Sequence, residues 1–350
     1  MASRAPSDDQ GIRSLKIKRG SEKGKVVQVK SALKAGRYPI SDLYAYGGMG
    51  LIFCARDIRV FNNKVLIKAI KYQASEFAFD RQKALYNIYQ MRQMFNRERR
   101  IICELRNRGI NNIPGANDFF YDFNPELACK TYPFGQLQAE ENHAFLKITM
   151  QVYHEPYLVM ERIYSKPFVE RIHQLSRKSI LQIMRDVLVV LAKMHQRKTR
   201  DDGSTLQLIY LDLKPENILV DAFNRITLID FGGAMPIVDG KKRKEQRGAL
   251  THGYAAPELT SLFSSADRVD GRADLYSVGA VLWRAFTGKD PARMADPLKD
   301  PFPLLSPDEL PKSVKGALKD LVAKAIERDV DQRWLSAHEM IRVLNQILNE

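Results

Sequence analysis

Asp212, Lys214 and Asn217 fall within six residues, and Asp230 follows thirteen residues after Asn217, at the head of Asp230-Phe231-Gly232. The set joins a carboxylate, an ammonium group and two hard oxygen donors. Such groups suit phosphoryl transfer from ATP, where a protein mainly positions the reactants and neutralises charge. Asp212 would accept a hydrogen bond from the attacking hydroxyl, and Lys214 would neutralise charge on the moving group. Asn217 and Asp230 suit magnesium rather than zinc.

These groups need elements that hold them and the phosphates. Residues 41–70 alternate like strands around the glycines Gly47, Gly48 and Gly50. Glycine lets backbone approach phosphate oxygens and offer its N–H groups. Val65-Leu66-Ile67-Lys68 reads as an apolar strand bearing one lysine, and a buried lysine is usually paired. Residues 76–108 read as helix, with Phe77, Leu85, Ile88, Met91, Met94, Phe95 and Ile101 at three-to-four spacing. Two glutamates there compete as the partner of Lys68. Glu98 has Met94, Phe95, Ile101 and Ile102 as helical neighbours, so it should face the interior. Glu104 has Arg100, Asn107 and Arg108 among its neighbours, so it should face water. A second helix is expected over 178–198, and mostly helix beyond 270.

The series resembles the protein kinases, in style closest to the bacterial Hanks-type Ser/Thr kinases, over roughly residues 39–345. The resemblance implies an α+β, two-lobed fold: a small antiparallel-sheet lobe over 39–163 and a mainly helical lobe over 164–350. Spacing beyond what the family needs points to insertions near 70–90 and 124–156. Residues 1–38, basic and poor in large apolar residues, read as a partly disordered extension in which residues 24–30 alternate like a strand. The resemblance implies ATP with magnesium or manganese, and a protein Ser or Thr hydroxyl as acceptor. By resemblance Gly47, Gly48, Gly50, Ile52 and Lys68 hold the nucleotide, and Glu98 pairs with Lys68. Met160 stands at the gatekeeper position, with Glu161 and Ile163 offering backbone groups to adenine. Asp212 and Lys214 are catalytic, and Asn217 and Asp230 hold metal. Thr251 and Glu258 end the activation segment, Arg333 pairs with Glu258, and Asp274 ties down the catalytic loop.

The chain departs from the family pattern in three places. Ala45 replaces the first glycine of the loop. Tyr210-Leu211-Asp212 stands where the family has His-Arg-Asp. The missing arginine often receives an activation-segment phosphate, and residues 231–250 contain no Ser, Thr or Tyr. The missing acceptor and the missing phosphate site agree, so activation without loop phosphorylation is expected. Two other classes stay open: a nucleotide-binding pseudokinase scaffold, and a small-molecule phosphotransferase. Ala256-Pro257-Glu258 and Arg333 speak against the second.

Bulk properties limit the rest. The 350 residues, 45% of them apolar, can build one two-lobed unit. No apolar run reaches the length of a membrane span, and the first residues lack a secretory pattern. Three scattered cysteines, Cys54, Cys103 and Cys129, fit a reducing cytoplasm. Net charge is +14, and residues 1–40 hold ten Lys/Arg against three Asp/Glu. A second basic cluster, Lys241 to Arg247, lies in the activation segment. Either could meet an acidic partner or simply be solvated. Nucleic acid is disfavoured, because no aromatic residues interleave with the charges.

Overall fold

The computed structural model describes residues 11–18, 23–46, 50–71, 81–125, 154–242, 251–259, 269–295 and 303–349. The chain divides into two units, Met1–Cys103 with Pro114–Arg162, and Glu104–Ile113 with Ile163–Glu350. Antiparallel sheets and helices make it a mixed α+β protein.

In the first unit the strands are β1 (Ile12–Lys16), β2 (Val26–Lys30), β3 (Ala32–Leu33), β4 (Tyr38–Tyr46), β5 (Leu51–Asp57), β6 (Asn63–Ala69), β7 (Ala116–Phe123) and β8 (His154–Glu161). Six of them form one antiparallel sheet in the order β3-β4-β5-β6-β8-β7. Period-two alternation sends Leu51, Phe53 and Ala55 to one face of β5, leaving Ile52 and Cys54 on the other. β1 and β2 pair separately as an antiparallel hairpin.

Leu15, Ile17, Val27, Val29 and Leu33 join Phe53, Ile67, Phe120, Tyr157 and Val159 in one apolar core. The segment expected to be a basic extension over 1–38 is therefore, from residue 11 onward, partly the core of this unit. Lys30, Lys34 and Arg37 within it are partnered by acids rather than solvated. Lys30 Nζ meets Asp122 Oδ1 at 3.1 Å in a buried pair, and Lys34 Nζ meets Asp118 Oδ2 at 2.6 Å. Arg37 bridges Asp57 at 2.7 Å and Asp118 at 3.2 Å. The acids lie so far along the chain that no local pattern reveals the pairing.

Helix α1 (Arg81–Asn107) runs unbroken for 27 residues and buries Ile88, Phe95, Ile101, Ile102 and Leu105. Of the expected insertion near 70–90, residues 72–80 lie outside the described residues and 81–90 belong to α1; of the one over 124–156, residues 126–153 lie outside them.

The second unit is built on α2 (Arg177–His195), α3 (Arg272–Thr287), α4 (Ala317–Ala325) and α5 (Ala337–Asn349). Ser176 caps α2 by accepting the Ser179 N–H at 3.1 Å. Ile180, Ile183, Met184, Val187, Leu188, Leu191 and Met194 form its buried stripe. Every residue of α3 from Ala273 to Trp283 is buried, as expected of a helix enclosed on all sides. Gly288 ends it in a left-handed conformation, φ +73°.

Short strands carry the site. They are β9 (Lys166–Pro167), β10 (Lys198–Thr199), β11 (Thr205–Ile209), β12 (Ile218–Val220), β13 (Ile226–Leu228), β14 (Met235–Val238) and β15 (Lys241–Lys242). They form the sheets β13-β12-β9 and β10-β11-β14-β15. Residues 199–206 close the β10–β11 hairpin, with Lys198 opposite Leu206. Among the described residues no helix is long and apolar enough to cross a membrane.

Candidate active site

In the first unit β6 delivers Lys68 to Glu98 of α1. Lys68 Nζ lies 2.6 and 2.8 Å from the two carboxylate oxygens, and both residues are only 5% exposed. Glu104, the competing glutamate, pairs instead with Arg108 at 2.9 Å. Ile52 stands directly opposite Lys68 across β5 and β6, so the two share a face of the sheet. A Cβ on Gly50 would sit 2.9 Å from the Ala69 carbonyl oxygen, so only glycine lets β5 begin there without a shift. Gly47 and Gly48 lie outside the described residues. Met160 is buried near the end of β8. Glu161 is exposed, and its N–H donates to Gly115 O at 3.0 Å. Ile163 is the first residue of the second unit after the division.

Sequence reasoning missed a second buried pair on α1. Arg92 Nε donates to Glu155 Oε1 at 2.9 Å, and Arg92 Nη2 to His154 O at 3.1 Å. Glu155 is fully buried and Arg92 is 4% exposed. Ile88 and Phe95, four before and three after Arg92, carried the signal.

The second unit gathers the remaining chemistry. Thr251 Oγ1 donates to Asp212 Oδ1 at 2.7 Å. Lys214 Nζ lies 3.1 and 3.0 Å from the Asp212 oxygens and 2.8 Å from Thr251 Oγ1. Asn217 Nδ2 donates to Asp212 O at 2.8 Å and to Asp212 Oδ2 at 2.9 Å. Its amide oxygen is thus the atom left for a cation. Ile229 N donates to Asn217 O at 3.0 Å, which sets Asp230 beside Asn217. Asp230 adopts φ +63°, a conformation that costs a non-glycine residue about 1 kcal/mol or more.

An amide oxygen and a carboxylate fit magnesium, which takes one or two protein oxygens and completes its shell with water and phosphates. Among the described residues no cluster of three His, Cys, Asp or Glu forms, so nothing there suits a zinc-type site.

Asp274, on α3, holds the loop that carries Asp212. Its Oδ2 accepts the Tyr210 N–H at 2.9 Å and its Oδ1 the Leu211 N–H at 2.7 Å. His195 Nε2 lies 2.7 Å from Oδ2. Leu211 is left-handed, φ +63°, which turns two successive amides onto one carboxylate. The Tyr210 hydroxyl donates to Ile229 O, and its ring packs edge-on against Phe231 at 5.2 Å.

Beyond Thr251 the segment is clamped to the unit. A Cβ on Gly253, φ +84°, would fall 2.4 Å from the Pro291 backbone. Burial raises the Tyr254 phenol well above its ordinary value, so it stays protonated and donates to Asp290 Oδ1 at 3.0 Å. Arg333 and Glu258 form a buried two-pronged pair with both bonds at 2.8 Å. Of the basic run 241–247, Lys241 and Lys242 form β15, and the rest lies outside the described residues.

The family described as protein kinase domain matches residues 136–343. The chain is 26% identical over 323 residues to the serine/threonine-protein kinase PknB of Mycobacterium tuberculosis, covering 89% of this chain and 43% of that protein. It is 27% identical over 319 residues to a probable PknB of Bifidobacterium longum, covering 88% and 39%. It is 25% identical over 323 residues to PksC of Streptomyces coelicolor, covering 88% and 48%. The chain thus spans less than half the length of these curated relatives.

Proposed function

Because this chain belongs to the protein kinase family, we propose that it transfers the γ-phosphoryl of Mg-ATP to a Ser or Thr hydroxyl of a protein. The observation that carries this reading is the triangle of Asp212, Lys214 and Thr251, all within 3.1 Å of one another. Asp212 accepts a hydroxyl hydrogen there, as it would from an attacking acceptor, beside an ammonium that neutralises phosphoryl charge. The names of these relatives, all serine/threonine-protein kinases, support the acceptor class.

In this reading Lys68, fixed by Glu98, binds the ATP phosphates, and Ile52, Met160, Glu161 and Ile163 serve the adenine. Asn217 and Asp230 would hold magnesium, which supplies charge neutralisation at the phosphates. Leu211 offers no cation for a phosphorylated loop. The enzyme is therefore active without activation-segment phosphorylation, and phosphatase treatment leaves its specific activity unchanged.

The test compares wild type with Asp212→Asn for phosphate transfer from Mg-ATP to proteins and to small-molecule acceptors. Transfer to protein that Asp212→Asn abolishes supports the reading. Nucleotide binding without transfer indicates a scaffold, and transfer only to small molecules indicates a different phosphotransferase.

A further inference from the structure

The loop between β5 and β6 sends three apolar side chains into solvent. Ile58 is 55% exposed, Val60 45% and Phe61 fully so. Val60 N donates to Asp57 O at 3.2 Å, and Asn63 N to Val60 O at 2.9 Å, so two tight turns close the loop on itself. In the second turn Phe61 (φ +48°) and Asn62 (φ +58°) are both left-handed. Such turns favour Asn, Asp or Gly at both positions. A bulky residue with positive φ is an outlier. Phe61 therefore takes a disfavoured backbone conformation and gains no burial from it. Packing of the unit does not account for it, and an outlier of this kind points to a use.

The exposed charge on the hairpin itself has one sign. Arg56, Arg59 and Lys64 are exposed on the same hairpin. The acid between them, Asp57, is buried and paired with Arg37. The neighbouring β3–β4 turn, joined through the Ile58 N–H to Arg37 O at 3.2 Å, adds no acid.

We infer that this tip inserts into the surface of a membrane rich in anionic lipid. Phe61, with Val60 and Ile58, enters the boundary between headgroups and acyl chains, and Arg56, Arg59 and Lys64 meet the lipid phosphates. A pocket on a protein partner would accept Phe61 without needing a uniformly basic surround. An anionic bilayer attracts both the apolar point and the charges around it, and the net charge of +14 acts in the same direction. The inference is independent of the phosphoryl-transfer chemistry.

Tryptophan at the tip reports insertion directly. In Phe61→Trp the added emission shifts to the blue and is quenched by brominated acyl chains on vesicles of phosphatidylcholine mixed with phosphatidylglycerol. It is unchanged on phosphatidylcholine alone. The unsubstituted chain, carrying Trp283 and Trp334, is measured in parallel as the background. Phe61→Ser lowers co-sedimentation with the mixed vesicles by about fivefold or more, as loss of the buried ring requires. It leaves phosphate transfer in solution unchanged. Tryptophan emission indifferent to the mixed vesicles overturns the inference. So does Phe61→Ser sedimenting like wild type, which would leave bulk charge as the cause. Binding to neither vesicle also overturns it, and would make a protein the reader of the tip.

Discussion

Arg92 of α1 and Glu155 of β8 form an ion pair sealed from solvent, six residues before Glu98 on the same helix. Six residues move about 9 Å along a helix and about 120° around it. The Arg92 and Glu98 pairs therefore grip α1 at two heights and on two sides. One pair alone would leave the helix free to roll. Removing one partner of a buried pair strands the other charge, so Arg92→Met should cost about 3–5 kcal/mol of stability. Arg92→Met with Glu155→Leu should recover most of that loss in denaturant unfolding. A double variant no more stable than Arg92→Met would show that the two residues are not coupled.

Lys68→Met and Asp230→Asn should each lower turnover at least about a hundredfold, because each removes charge needed at the phosphates or the metal. Circular dichroism and thermal melting on the same samples establish that the variants are folded. Turnover within about threefold of wild type in a folded variant contradicts the assignment.

The β1–β2 hairpin should be indispensable to the first unit. Each buried Leu, Ile or Val contributes about 1.5–3 kcal/mol, against a total stability of roughly 5–15 kcal/mol. Deleting residues 11–33 removes Leu15, Ile17, Val27, Val29 and Leu33, so the unit should not fold. The point substitution Ile17→Ala should cost about 2–5 kcal/mol. A deleted chain that melts at the wild-type temperature and resists proteolysis would refute this.

Acid should unfold the first unit through Asp57 and Asp118. The hydrogen bond from Arg37 holds the Asp57 carboxyl below its ordinary value. Burial pushes Asp118 up, but bonds from Lys34 and Tyr38 outweigh it, and its value is also lowered. Carboxylates held low stabilise the fold above the ordinary carboxylate range, and that stability is lost as pH falls through the folded values. The melting temperature should drop below about pH 4, and less steeply in Asp57→Asn and Asp118→Asn. Equal acid sensitivity in the variants and wild type would remove these residues from the account.

What was legible in the sequence follows from how locally each feature is determined. The choice of Glu98 over Glu104 rested on neighbours three and four positions away, and the same positions decide which helix face is buried. Asp212, Lys214 and Asn217 are close in sequence, so their meeting needed little of the fold. Lys30 with Asp122, and Arg92 with Glu155, join residues 92 and 63 positions apart, and such pairs leave no periodic trace. The same blindness made the basic extension over 1–38 read as solvated. The alternation over residues 24–30 shows a strand, but nothing local shows that Val27 and Val29 join the core, or that the acids balancing the charge come from β5 and β7.

The Asp274 carboxylate grips the amides of Tyr210 and Leu211, and an amide is the same whatever side chain it carries. The loop bearing Asp212 is thus shaped by a contact that cannot read the residues it holds. Positions 210 and 211 could change identity over time while the Asp212 carboxylate kept its place. A chain built this way can vary the side chains beside Asp212 by single substitutions, without passing through forms in which the loop has come apart.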